Sequence, residues 1–322
     1  MDSHRRFSTL ALILGVAFGA PAQSVTIDWI SVGDPGNACD VQPQGCFGAV
    51  ANTYRISKYE TTNAQYTEFL NAVAVTDPNG LYNTQMGVPH GGITRSGSSG
   101  SFTYSAIPGR EDMPVNFVSF YDALRFANWL HNGQPTGPQG SGTTEDGAYT
   151  ITPAGIAANS IARNSGATIF LPSEDEWYKA AYYDAVSSTY FDYPAGSNTQ
   201  TTCATPGATA NTANCNVAAG GLTAVGSYTG SASPYGTFDQ GGNLWELNEA
   251  IIFDTERTVR GGSFVQSPTL LAASSFNNHG PTNEFFHVGF RVASLVPEPS
   301  TGLLVITGML GLAGWRRRRP RS

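Results

Sequence analysis

The sequence predicts a single α+β domain of about 270 residues, the size of one large domain. Three segments carry apolar residues at helical spacing behind helix-start signals. Six short apolar runs are bounded by Gly, Pro and Asn, as strands are. Between them lie Gly/Ser/Thr-rich stretches, 91–101, 133–147 and 195–221, which read as long surface loops rather than linkers. No internal repeat is present.

In chain order, Val25–Val32 and Tyr54–Tyr59 are the first predicted strands. The first helix follows Thr62-Asn63-Ala64-Gln65, where Gln65 can reach back to the cap amide. Tyr66, Phe69, Leu70 and Val73 form its apolar stripe. The second starts at Ser119 with Asp122 in its first turn. Its stripe is Ala123, Phe126, Ala127 and Leu130, and Gly133 is its expected stop. Thr168–Leu171 is a strand. The third helix starts at Ser173, with Glu176 closing the capping box and Trp177, Ala180 and Ala181 buried. Val225–Tyr228, Arg257–Arg260 and Gly289–Ala293 complete the strands, mostly antiparallel.

Both ends read as sorting signals. Arg5 and Arg6 precede an apolar run of 13 residues, Phe7–Gly19, and the cleavage pattern Ala20-Pro21-Ala22. Residues 1–22 are therefore an expected signal peptide, and the mature chain starts at Gln23. At the other end Pro297-Glu298-Pro299 precedes the apolar run Thr301–Trp315 and an arginine cluster from Arg316 to Arg321. Fifteen helical residues reach about 22 Å, short of the roughly 30 Å hydrocarbon core. Arginines beside such a run stay cytoplasmic, which places 23–295 outside the membrane. The trio at 296–322 resembles the PEP-CTERM sorting signal. That resemblance implies an exosortase-type protease as partner, transient membrane anchoring and a place on the bacterial cell envelope.

Without both ends, ten basic and 22 acidic residues remain, near −12, with Lys58 and Lys179 as the only lysines. A surface this acidic disfavours nucleic acid and anionic membrane. Cys39, Cys46, Cys203 and Cys215 form two locally close pairs in an oxidising compartment. Disulfides 39–46 and 203–215 are the default, other pairings being open. No Cys-x2-Cys is present and no His lies close to a Cys, so a zinc site is a poor reading. His90, His131, His279 and His287 show no metal-binding spacing. Glu174, Asp175 and Glu176 read as carboxylates stabilising a helix N-terminus rather than an acid/base pair.

Six motifs in order carry a family resemblance over residues 54–293. They are Lys58–Tyr66; Pro114-Val115-Asn116 with Tyr121-Asp122-Ala123 and Asn128-Trp129-Leu130; Leu171–Trp177; Gly236–Glu246; Arg260–Phe264; and Gly289–Ala293. They resemble the formylglycine-generating enzymes, or sulfatase-modifying factors. The resemblance implies a C-type-lectin-like α+β domain with little regular secondary structure. In active members two cysteines just after Gly-Gly-Ser hold copper. Counted from Ser263, those places hold Gln266 and Leu271, so no copper and no catalytic residue are expected. Ser263 and Arg291 then read as scaffold, Arg291 through a buried ion pair or bonds to loop carbonyls. The resemblance also implies a structural calcium ion on side chains at Asp239 and Glu246 and carbonyls of Gly242 and Leu244. Hard oxygens in a Gly-rich turn suit that ion. A second calcium site near Asn214 is implied by a more eroded motif. The iron-dependent sulfoxide synthases share this domain type but take their histidines from an added N-terminal domain, for which no room is expected here.

The expected function is a non-catalytic extracellular binding or structural module for a peptide, glycan or surface polymer. The alternative is an oxygen-dependent oxidoreductase converting a sulfatase cysteine to formylglycine. Loop content suggests that residues 95–110 and 277–286 line a surface groove. The first prediction concerns sorting: in a host with an exosortase, the exported protein should start near Gln23 and end near Pro299. Intact-mass analysis checks both ends, and an arginine tail kept on surface-localised protein would count against the sorting signal.

Overall fold

A computed structural model describes residues 24–296. The expected signal peptide, and the sorting tail beyond Val296, lie outside the described residues. Among them, no helix is long and apolar enough to cross a membrane.

Local chemistry sets the helices. Helix α1, Asn63–Val73, begins at Thr62, whose side chain accepts from Gln65 N at 3.2 Å, while Gln65 Oε1 accepts from Thr62 N at 3.0 Å. The predicted stripe of Tyr66, Phe69, Leu70 and Val73 is buried. Helix α2, Phe120–His131, has the same reciprocal cap between Ser119 and Asp122, and Gly133 follows with φ +81°. A short helix α3, Pro153–Ala157, lies outside the elements expected from sequence. Thr152 caps it and Pro153 supplies a preset φ at its first position. Helix α4, Glu174–Tyr182, is capped by Ser173 and Glu176.

Two four-stranded sheets carry the rest. The first orders Trp29–Val32, Tyr54–Ser57, Ala293–Leu295 and Ile169–Phe170, all antiparallel, so strands from near the two ends of the domain flank Tyr54–Ser57. The second orders Asn277–His279, Glu256–Arg260, Trp245–Ile252 and Val288–Phe290, the last pair parallel. The register between Trp245–Ile252 and its antiparallel partner shifts between Leu247 and Ile251. Three expectations need correction. Trp245–Ile252 is the longest strand, although in sequence its start reads as part of the Gly-rich turn. Val225–Tyr228 is not a strand; it is a turn followed by irregular chain, where Gly226 has φ +73° and packs on Tyr59. Gly289–Ala293 is two strands, because Arg291 and Val292 leave the second sheet to reach the first.

The apolar core lies between α1, α2 and the two sheets. Tyr66, Phe69, Phe126, Trp129 and Phe290 pack ring against ring, with adjacent centroids from 5.3 Å (Phe69–Trp129) to 6.5 Å (Tyr66–Phe290). Full burial of each such ring is worth about 1.5–3 kcal/mol. The two default disulfides are both formed, 39–46 and 203–215.

A charged pair sits where the two sheets and α4 meet. Arg291 Nε and Nη2 donate to the two Glu246 oxygens at 2.5 and 2.6 Å, and neither side chain is exposed. The same guanidinium donates to Ser57 O at 3.0 Å and Phe238 O at 2.8 Å. Trp177 Nε1 donates to Glu246 Oε2 at 2.7 Å. One arginine therefore ties together both sheets, the Gly-rich turn and α4. Arg291→Met strands a buried carboxylate and should cost about 3–5 kcal/mol. Arg291→Met with Glu246→Gln should recover part of that loss. Urea unfolding measures both, and a single-variant loss below about 1 kcal/mol would refute the central role given to the pair.

Candidate functional site

The Gly-rich turn 236–244 enters the long strand through backbone that ordinary residues avoid. Asp239, Gly242 and Asn243 have φ of 61°, 89° and 58°. A Cβ on Gly242 would lie 2.4 Å from Asn214 O, so the turn closes on the 214 loop only with glycine there. Asn243 locks it. Its Nδ2 donates to Glu60 Oε2 at 2.8 Å, and its Oδ1 accepts from Asn214 Nδ2 at 3.0 Å and Thr223 N at 3.1 Å. Glu60 Oε1 also accepts from Leu244 N at 3.2 Å.

Two buried carboxylates, Glu60 and Glu246, and the half-buried Asp239 lie in the field of one guanidinium, Arg291, which bonds only Glu246 directly. Burial raises the Glu60 carboxyl well above its usual range, with Asp239 and Glu246 adding repulsion. Burial pushes Asp239 up to about 6. Asp239 Oδ2 accepts from Gly226 N at 2.6 Å. Both Glu246 oxygens are engaged by Arg291, and one also by Trp177. Among the described residues, no three His, Cys, Asp or Glu side chains converge closely enough to hold a metal ion. Glu60 is the partner that sequence reasoning missed. Its signal was the one acid of the first motif, Lys58–Tyr66, set between Tyr59 and Thr61.

The second motif region is the Gly-Gly-Ser turn. Gly261 and Gly262 have φ of 94° and 73°, and a Cβ on Gly262 would meet Leu271 Cδ1 at 2.7 Å. Leu271 is fully buried in a small apolar cluster with Ala213 and Cys215, beside the 203–215 disulfide. Gln266 is half-buried, and its backbone is used: N donates to Ser263 O at 2.9 Å and O accepts from Asn216 N at 2.7 Å. The Ser263 hydroxyl is buried without a partner. All four cysteines are in disulfides.

The remaining candidates make hydrogen bonds or ion pairs or pack against neighbouring rings. Glu174 accepts from Arg260 Nε at 2.5 Å, and Asp175 Oδ1 accepts from Gly48 N at 2.7 Å. Glu176 and Glu249 share Arg163, each with an oxygen at 2.7 Å from Nη2. His131 Nδ1 meets Thr168 Oγ1 at 2.8 Å. His279 and His287 pack with Phe285, their own rings 5.8 Å apart, and burial lowers His287 to about 4. His90 packs on Phe286. The expected loop groove is met in part: Tyr104–Ala106 line a groove of about 850 Å³, and residues 277–286 do not.

Residues 45–296 match the sulfatase-modifying factor enzyme 1-like domain. A hercynine oxygenase of Mycolicibacterium smegmatis is 26% identical over 277 residues, covering 75% of this chain and 53% of that protein. The chain thus spans about half the length of that curated relative. Among solved structures, CarF gives a TM-score of 0.53 at 19% identity, covering 84% of this chain and 99% of its own. Treponema denticola variable protein 1 gives 0.52 at 18%, covering 84% and 95%. At these identities the structural likeness shows the fold, a C-type-lectin-like α+β domain of the expected class.

Asp239 carries a pH signature. A carboxyl raised in the fold lends stability that is full below its unfolded value, about 3.9, and lost as pH rises through the folded value, about 6. Between about pH 4 and pH 7, wild type should lose about 3 kcal/mol relative to Asp239→Asn. Denaturant unfolding across that range measures the difference; a constant difference would contradict the assignment.

Proposed function

The chain belongs to the sulfatase-modifying factor enzyme 1-like family, and from that premise we propose that it is a binding module that keeps the family scaffold without cysteine-based oxidation. The observation that carries this reading is Leu271, which fills its position with a buried side chain packed on Ala213 and Cys215. Copper(I) needs soft ligands, normally thiolates. Gln266 offers an amide, Leu271 offers none, and all four cysteines are paired. The likeness to hercynine oxygenase covers about half of that protein, so its activity is not carried over. The exported, envelope-sorted location and the exosortase-type partner belong to the same proposal.

A structural calcium ion at the Gly-rich turn is part of this reading. The support is electrostatic: Glu60, Asp239 and Glu246 lie near one guanidinium and the first two carboxyls are raised, so a cation beside Asp239 would favour its ionised form. Asp239 and the carbonyls of Gly242 and Leu244 suit a hard cation. Glu246 contributes through its charge, because Arg291 and Trp177 engage its oxygens. A bound cation stabilises the folded state that holds it. Added calcium should therefore remove the pH-dependent gap between wild type and Asp239→Asn; a gap indifferent to calcium and to chelator would end this part of the proposal.

The decisive experiment for the main reading is incubation of a sulfatase-type cysteine peptide with the exported domain and oxygen, with and without copper. The peptide mass should not change. Conversion to formylglycine would overturn the binding-module reading in favour of the oxidoreductase.

A further inference from the structure

A pocket of about 420 Å³ lies where the start of α1 meets the 89–91 loop, Arg110, Met113 and the 219–222 turn. That volume is within the usual range for ligand sites. The exported part carries a large excess of acids, yet no Asp or Glu lines this pocket. Its ionisable side chains are Arg110 and His90. Glu111 and Asp112 follow Arg110 in the chain, but neither lines it, and Asp112 faces the separate groove beside α1.

Arg110 is set apart from the other arginines. Every other arginine among the described residues places its guanidinium against a carboxylate or over an aromatic ring. Arg110 does neither. It is nevertheless held in place. Its Nη1 donates to Pro89 O at 2.8 Å and to Gly91 O. Its backbone O accepts from Asn63 Nδ2 at 2.9 Å, and its N donates to Ile107 O at 2.9 Å. Nε and Nη2 have no acceptor among the described residues, and neither is closed off from solvent. These two atoms form the edge with which Arg291 grips Glu246 elsewhere in the fold. A fixed guanidinium with that edge open is preorganised for a planar, bidentate carboxylate.

The rest of the lining narrows the ligand. The His90 ring packs on Phe264 and Phe286, with centroids 6.2 and 5.4 Å away, and the His90 carbonyl accepts from Asn116 Nδ2 at 2.8 Å. The backbone amides of Gly221 and Leu222 donate to no other group among the described residues. Pro89, Met113, Ala219 and Leu222 supply apolar wall. A single guanidinium beside apolar wall matches one negative charge on an apolar body, the usual mix of few polar groups and much apolar lining in a small-molecule site.

We propose that this pocket binds an organic carboxylate with an apolar body, the carboxylate on Arg110 Nε and Nη2 and the body against Met113 and Leu222. A free acid carries such a group, and so does the C-terminal end of a peptide. The proposal rests on the binding-module reading above and gives that module its ligand class.

Amide NMR titration of the exported domain with N-acetyl-leucine is the test, beside N-acetyl-leucinamide, inorganic phosphate and a tetrapeptide ending in leucine. N-acetyl-leucine should bind saturably, with the largest shifts at Gly91, Gly221 and Leu222. The leucinamide has the same shape without the charge and should bind at least about tenfold more weakly, as should N-acetyl-leucine to Arg110→Gln. Leu222→Glu is the second variant, because it sets an acid beside the guanidinium and leaves the Arg110 bonds to Pro89 and Gly91 untouched. It should also lose binding while the rest of the amide spectrum is kept. Tetrapeptide binding at least as tight as that of N-acetyl-leucine assigns the carboxylate to a chain end, and weaker binding assigns it to a free acid. No saturable shift at these amides, equal binding of the leucinamide, or unchanged affinity in Leu222→Glu would overturn the proposal. Phosphate binding as tightly as N-acetyl-leucine would also overturn it, in favour of a general anion site. The cysteine-peptide assay fails or succeeds separately: an inert peptide with no carboxylate binding removes only this ligand class, whereas peptide turnover removes the binding-module reading.

Discussion

The Arg291 and Glu246 side chains are wholly withdrawn from water, so each must be satisfied by the other and by the backbone around them. Their arrangement does this with few groups to spare. The guanidinium spends its donors on the carboxylate and on the carbonyls of Ser57 and Phe238, and Trp177 adds a donor to the acid. Each of those contacts belongs to a different part of the chain. Moving any one of them leaves a buried charge short of a partner, which is far more costly than losing an exposed bond.

The same device recurs where regular structure is sparse. Arg260 joins the second sheet to α4 through Glu174 and to the 273–275 segment through two carbonyls. Arg163 joins α4 to the long strand through Glu176 and Glu249. Arg257 lies over Phe120 and donates to Asn159 and to Ile161 O. The acids at the start of α4 thus act as anchors for three separate segments. Long loops are held in place by planar side chains and disulfides instead of strands: Asn128 donates to Thr144 O and Tyr149 O, and Asn211 donates to Thr199 O.

This economy separates the scaffold from the surfaces that remain available. At the Gly-Gly-Ser turn, Leu271 joins the packing and leaves no soft donor. Within α1, Asn63 Oδ1 and Thr67 Oγ1 are buried without hydrogen-bond partners.

The sequence by itself determined what is decided within a few residues. Caps at Thr62, Ser119 and Ser173, the apolar stripe of α1, both disulfides and the absence of cysteines at 266 and 271 all follow from near neighbours or from residue identity. Helix starts are legible because the cap bonds close over three residues. The longest strand was missed because Gly-Gly-Asn before Trp245 reads as a turn, and its strand character comes from partners at 256–260 and 288–290. Only the tertiary structure decided that Glu246 answers Arg291 across 45 residues, that Trp177 joins it across 69, and that Glu60 reaches Asn243 across 183. A buried charge does not choose its partner by spacing along the chain; it takes the group that packing brings within hydrogen-bond reach once water is excluded. The burial of Leu271 beside a disulfide and the unpartnered hydroxyls of Thr61 and Thr67 belong to that same class of outcome.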